Sequence, residues 1–206
     1  KIFIIDGSSF IYRAYHAIKY LSNSKGLPTN AIYGFTSMLL SLKSEYKPTY
    51  ITVVFDSKKP SFRKDLYTEY KANRPKMPDD LAAQIPYIKK ITEAFRIPTF
   101  EIEGVEADDV IGVMASAKEF EQMEIYIISS DKDLMQLITD RVKLLDTMKK
   151  RVIGTSDVLA RFGVLGDRVI DVLGLSGDSS DNIPGVPGIG EKRARELIVE
   201  FGSMEN

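Results

Sequence analysis

Ile2-Phe-Ile-Ile-Asp6, Val53-Val-Phe-Asp56 and Ile127-Ile-Ser-Ser-Asp131 are three apolar runs that each close on an aspartate. Short runs dense in Ile, Val and Phe read as strands buried on both faces, the habit of parallel sheets. Outward from these, strands are predicted at Ile2–Ile5, Tyr50–Phe55, Thr99–Ile102 and Glu124–Ile128. Helical periodicity fills the intervals, at about Phe10–Tyr20, Ala31–Glu45, Asp79–Phe95, Ala107–Phe120 and Asp133–Leu137, with Pro86 expected to kink the third. That alternation predicts an α/β fold: a mostly parallel central sheet with helices on both faces.

Past residue 154 the pattern changes to short helices punctuated by glycine. They are expected at Ser156–Phe162, Asp167–Leu173 and Glu191–Phe201, with Gly163, Gly174 and Gly202 as stops. Two parts are therefore expected, an α/β core over residues 1–154 and a helical part over 155–206. The chain opens in a core strand without methionine and ends soon after a helix, which suggests a piece of a longer protein.

At 206 residues and 44% hydrophobic content the chain can bury a sizeable core. No apolar run reaches the roughly 20 residues of a membrane span, and the start lacks a signal-peptide layout. With no cysteine, disulfides, zinc–thiolate centres and Cys nucleophiles are excluded. A cytoplasmic setting is the expectation.

Acids gather where strands should end. Besides Asp6, Asp56 and Asp131, the chain has Glu106, Asp108 and Asp109 opening a helix, Asp133 two residues after Asp131, and Asp178 and Asp181 in Gly-Asp-Ser-Ser-Asp-Asn. In open α/β sheets, sites form beyond the carboxyl ends of the strands, at the switch in strand order. Each group has a plainer explanation: acids at helix starts cap free amides, and Asp in a loop makes Asx turns. Nine acids in one crevice would repel each other unless cations or protons neutralise them. Oxygen-only ligands select hard ions such as Mg²⁺ or Mn²⁺, and a pair of such ions is the usual clamp on a phosphodiester. Two other phosphate chemistries fail on their own key residues. Asp6 is followed by Gly7 and Ser8 rather than by a second Asp two positions on, and Gly190 by Glu191 rather than by Lys and Ser or Thr.

Net charge is −1, yet without the nine acids 28 basic residues face 20 acidic ones. Between Ser57 and Lys76 lie seven Lys and Arg against two acids, interleaved with Tyr67 and Tyr70. Cations for phosphates and rings for stacking suit single-stranded nucleic acid, and a helix would gather Arg63, Tyr67, Tyr70 or Lys71, and Arg74 on one side. The plain alternative is a solvated basic loop. Further on, Pro184-Gly-Val-Pro-Gly188-Ile189-Gly190-Glu-Lys192 reads as a helix–hairpin–helix whose glycines let backbone amides approach a DNA phosphate. His16, the single histidine, cannot provide a metal triad and is expected to pack or cap; Arg13 could meet either phosphate or an acid.

Together these runs resemble the 5′-nuclease domain of bacterial DNA polymerase I and the related flap endonucleases. The matching stretches are Asp6-Gly-Ser-Ser, Phe-Asp56, Phe62-Arg63 through Tyr70-Lys71-Ala-Asn-Arg74-Pro, Gly104-Val-Glu106-Ala-Asp108-Asp109, Ser130-Asp131-Lys-Asp133, Gly177-Asp178-Ser-Ser-Asp181-Asn and Gly188-Ile-Gly190-Glu-Lys192. The resemblance implies a PIN-like nuclease fold, with a helical arch at about 57–80 and a C-terminal helix–three-turn–helix. It implies one metal site on Asp6, Asp56, Glu106, Asp108 and Asp109, and a second on Asp131, Asp133, Asp178 and Asp181. Arg63, Tyr70, Lys71 and Arg74 match arch residues that steer the 5′ strand, with Lys71 and Arg74 acting on the scissile phosphate. Gly188, Ile189, Gly190 and Lys192 match a duplex contact that K⁺ assists. The implied activity is Mg²⁺-dependent cleavage, with Mn²⁺ as substitute, of 5′ flaps, nicked or 5′-ended duplex and RNA primers in replication and repair. A monomer near the nucleoid is implied. The alternatives are a non-catalytic DNA clamp, which gains nothing from unneutralised acids, and an RNA-directed PIN-like nuclease, which lacks the arch and hairpin.

Overall fold

The structure, a computed structural model, describes residues 1–206. The first half runs β1 (Ile2–Asp6), α1 (Gly7–Ala17), α2 (Asn30–Tyr46), β2 (Tyr50–Val54), α3 (Arg63–Leu66), α4 (Asp79–Ala82), α5 (Ile85–Ala94) and β3 (Thr99–Phe100). The second half runs α6 (Ala107–Ser116), β4 (Ile125–Ile128), β5 (Val142–Asp146), β6 (Arg151–Ile153), α7 (Thr155–Phe162), α8 (Val169–Ser176), β7 (Gly177–Asp178), β8 (Ile183–Pro184) and α9 (Glu191–Phe201).

The main sheet has the order β3-β2-β1-β4-β5-β6. All its pairings are parallel except β5 with β6. The chain winds outwards from β1 to β3 on one side and from β4 to β6 on the other, so the switch point lies between β1 and β4. Both neighbours register on β1 residue for residue, Ile5 facing Val53 on one side and Ile128 on the other. That register brings the ends of β1, β2 and β4 to one edge.

Strand period sorts the core into two layers. Ile2 and Ile4 pack with Ile125, Ile127 and Leu144 under α6 to α9, through Val110, Ile111, Val158, Phe162, Val172, Ala194 and Ile198. Phe3 and Ile5 face the other way, with Val53 and Ile128, onto Phe10, Phe35, Leu39 and Ile88 of α1, α2 and α5. The helical part expected from residue 155 onwards therefore shares its core with β1. No break in packing marks residue 154.

Several expectations need correction. The basic segment is not a helix that gathers its cations on one side: only Arg63–Leu66 is helical, and turns carry the chain through Tyr67–Arg74. The helix expected over Asp79–Phe95 is broken into α4 and α5, with Pro86 in the first turn of α5, where its missing N–H costs nothing. Asp133–Leu137 forms a 3-10 turn, and Lys118–Phe120 a second after α6 ends. Gly174 does not end α8; Gly177 does, at φ +72°, while a Cβ on Gly174 would press on the Met204 sulfur. β5 and β6 had no counterpart in the sequence reading.

Candidate functional site

Asp6 stands at the end of β1, next to the switch point, and is buried. Its Oδ1 accepts the Ser9 amide hydrogen at 3.0 Å, capping α1, and its Oδ2 accepts from the Ser129 hydroxyl at 2.7 Å. Burial, with Asp56 and Asp131 nearby, raises its carboxyl to about 6 despite those bonds. Asp56 follows β2 and accepts the Ala107 amide at 2.8 Å, which ties the sheet edge to the start of α6. Asp108, one residue into α6, is raised to about 8, by burial first and then by Asp6, Asp131 and Asp56.

Two loops complete the cluster. After β4, Asp131 Oδ1 accepts the Asp133 amide at 2.9 Å, while Asp133 Oδ1 is buried without a partner. The Asp133 carboxyl is raised to about 7 by burial and by Asp131 and Asp178. The 177–185 loop is pinned at its base by backbone-to-backbone contact: a Cβ on Gly177 would lie 2.3 Å from the Gly185 nitrogen. In it Asp178 accepts the Ser180 amide at 2.8 Å; burial works against its charge, but this bond and Asp133 hold its carboxyl below the ordinary value.

Asp6, Asp56, Asp108, Asp131, Asp133 and Asp181 thus line one open cavity of about 1000 Å³, with Lys71 and Arg74 on its wall. The plain roles leave room for the expected site roles, since a carboxylate that accepts one local amide keeps other lone pairs. No three of these acids yet stand close enough to cage an ion. The donor set nonetheless fits hard divalent cations: all its ligands are oxygens, one buried oxygen lacks a partner, and three carboxyls have raised values amid their neighbours' charge.

The remaining expected residues are placed differently. Glu106 and Asp109 lie at the start of α6, outside the cavity lining, under the basic segment. Arg63 donates from two nitrogens to the two Asp109 oxygens, each at 2.7 Å, and lowers the Asp109 carboxyl. Lys71 Nζ lies 2.9 Å from Glu106 Oε2 and 3.6 Å from Asp181 Oδ2, and Arg74 pairs with Asp181 Oδ1. Tyr70, expected to be open for base stacking, is buried. Its hydroxyl stands 2.9 Å from Glu106 and 3.1 Å from Asp181, and burial followed by those two charges raises its value. The exposed rings of the segment are Phe62 and Tyr67.

His16 is exposed at the cavity wall, stacked on Tyr12 at 6.4 Å, rather than packed in the core. Arg13 bonds Thr147 at 3.1 Å and faces Asp146 at 3.7 Å, so its contact is with the end of β5. Tyr12, Lys58, Lys89 and Lys132 also line the cavity and were missed. Tyr12 stands on α1 three residues after Ser9 and four before His16, both of which line the cavity, so helical spacing groups the three on one face. At the hairpin, Gly188 has φ +81° and a Cβ on it or on Gly190 would meet no atom within 4 Å, so that backbone faces open space. Ile189 packs against the core beneath, and Lys192 is exposed in the first turn of α9.

Comparison with known proteins was made against this geometry. The chain is 44% identical over 205 residues to a 5′-3′ exonuclease of Aquifex aeolicus, covering all of this chain and 71% of that protein. It is 44% identical over 211 residues to DNA polymerase I of Bacillus caldotenax, where all of this chain corresponds to only 24% of the relative. Among solved structures, a bacteriophage T5 flap endonuclease variant in a pseudo-enzyme–product complex with DNA and metal ions superimposes with a TM-score of 0.80. It is 30% identical, over 99% of this chain and 76% of that one. The N-terminal resolvase-like domain of 5′-3′ exonucleases matches residues 1–163 and their C-terminal SAM fold residues 164–206, so the chain belongs to the 5′-3′ exonuclease family.

Proposed function

We propose that this chain is a structure-specific 5′-nuclease that hydrolyses DNA phosphodiesters near single-strand/double-strand junctions, with Mg²⁺ as its natural ion and Mn²⁺ as a substitute. The observation that carries the reading is the cavity in which six aspartates from β1, β2, α6 and two loops face Lys71 and Arg74. Asp6, Asp56 and Asp108 would hold one ion and Asp131, Asp133, Asp178 and Asp181 another, with Glu106 able to turn to either. Asp109 is better suited to holding Arg63. Bound there, divalent ions supply Lewis acidity to the attacking and leaving oxygens of an in-line displacement.

The chain's own residues do the rest. Lys71 and Arg74 offset charge that develops on the phosphoryl oxygens. Tyr12, His16, Lys58 and Lys89 line the same open cavity and would offer rings and positive charge to an unpaired 5′ strand. Gly188 and Gly190 leave amides free for a duplex phosphate, and K⁺ would suit the same backbone; such contact binds without reading sequence. Products should carry a 5′-phosphate and a 3′-hydroxyl. Unpairing terminal bases costs a few kcal/mol, which favours flaps, nicks and 5′ ends, RNA primers included, over continuous duplex. A monomer working on DNA in the bacterial cytoplasm, as a separate exonuclease or at the head of a polymerase, follows from the same reading.

The test is cleavage of an end-labelled 5′-flap. Mg²⁺ or Mn²⁺ should support cutting at the junction, Ca²⁺ should support binding with little turnover, and excess chelator should abolish cutting. Undiminished cleavage in chelator would sink it.

A further inference from the structure

Besides the contacts of Tyr70, Lys71 and Arg74 with the Asp181 carboxylate, three hydrogen bonds to backbone carbonyls join the basic segment to the acidic 177–182 loop. The Lys71 amide donates to the Asp181 carbonyl at 2.8 Å. Asn73 Nδ2 donates to the Ser179 carbonyl at 2.7 Å, and Asn182 Nδ2 donates in return to the Glu69 carbonyl at 2.8 Å. Because both side chains face carbonyls, which only accept, their NH₂ groups must be the ones turned towards the partner. Lys71 and Asn182 both hold left-handed backbone, at φ 55° and 57°. Asn tolerates that region better than most residues, whereas Lys is held there only if its surroundings fix it.

From these contacts we infer that Asn73 and Asn182 are positioning residues that latch the basic segment to the acidic loop. The latch makes Lys71, Arg74 and Asp181 one unit. Its three bonds flank the two cations, with Glu69 before them, Lys71 itself between, and Asn73 one residue ahead of Arg74. Without it the segment keeps only its ion pairs and the Tyr70 hydroxyl contacts at this end, and Lys71 and Arg74 stay long, flexible side chains on a more loosely held turn. The inference rests on the nuclease reading for its catalytic consequence, while the latch itself is a structural statement.

The experiment uses the full-length protein with Asn73→Ala and Asn182→Gly singly and combined. Glycine keeps the left-handed backbone at 182 and removes only the amide. Limited trypsinolysis after Lys71 and Lys76, in metal-free buffer, should run about tenfold faster or more in the double variant, with near-UV dichroism unchanged. On a 5′-flap in Mg²⁺, single-turnover cleavage at saturating enzyme should fall about tenfold or more, with affinity in Ca²⁺ changed less than about threefold. Asn182→Ala, which loses the amide and strains the backbone, should do at least as much as Asn182→Gly. Wild-type proteolysis in the double variant would overturn the latch. Faster proteolysis with an unchanged bound-state rate would overturn its positioning role. If the wild type itself fails to cut the flap, the nuclease reading fails, and the proteolysis arm still decides the latch.

Discussion

Replacing Asp108 by Asn should stabilise the metal-free protein at pH 8 while removing its chemistry. The Asp108 carboxyl is raised from an ordinary value of 3.8 to about 8, by burial and then by Asp6, Asp131 and Asp56. Between those two values the folded protein binds more protons than the unfolded chain. The stabilising contribution is therefore complete below about pH 4 and is lost as pH rises towards 8. One unit corresponds to about 1.4 kcal/mol. Water in the open cavity screens much of the full shift, leaving a penalty of about 2 kcal/mol for the ionised group at pH 8. Asn keeps the shape and cannot ionise, so it should recover that amount, roughly 4–8 °C in Tm for a chain of this size. Thermal melting in chelator at pH 5 and pH 8 measures it: the gain should be present at pH 8 and small at pH 5. Millimolar Mg²⁺ should then raise the wild-type Tm more than the variant's, since only the wild type keeps the full ligand set. A variant that melts at or below wild type at pH 8 in chelator would show that the carboxylates are not crowded, and the electrostatic case for a cation site would fall with it.

Lys71→Ala should lower single-turnover flap cleavage by about 10²-fold, as loss of one transition-state contact does. Lys64→Ala, on an exposed face of α3, should leave the bound-state rate near wild type, and equal rates for the two variants would refute a chemical role for Lys71. Gly188→Ala places a Cβ at φ +81°, where the strain is about 1–2 kcal/mol; duplex affinity should fall roughly five- to tenfold while the bound-state rate holds, read by fluorescence anisotropy in Ca²⁺. Asp109→Asn should loosen Arg63 and weaken single-strand binding without changing Mn²⁺ affinity by calorimetry; a tenfold loss of Mn²⁺ affinity would return Asp109 to the ligand set.

The sheet and its acid edge were legible because one signal carried both. An apolar run names a buried strand, and an aspartate at its end names the edge where parallel strands deliver their carboxyl ends; Asp6, Asp56 and Asp131 all lie there. What escaped depends on contacts that no local pattern encodes. Tyr70 reads as a surface ring by its basic neighbours, yet it is buried because Glu106 and Asp181, 36 and 111 residues away, both reach its hydroxyl. The same distant partners replaced the expected helix with turns. β5 and β6 were missed because their connection lacks glycine: Lys150 takes the left-handed position at φ 49°, and Asp146 alone closes the turn, accepting amides from Met148 and Lys149.

The place of β1 at the centre of the sheet has a consequence for biosynthesis. Ile2–Asp6 leaves the ribosome before both of its partners, residues 50–54 and 125–128. The Ser129 hydroxyl that binds Asp6 comes later still. A nascent chain that ends between β2 and β4 can close only one side of β1, leaving an apolar parallel edge open to other chains. Such a chain has neither Asp131 nor Asp178 and can gain nothing from Mg²⁺. Chains arrested in that interval should aggregate whatever the metal concentration, and rescue should begin only once β4 has cleared the exit tunnel.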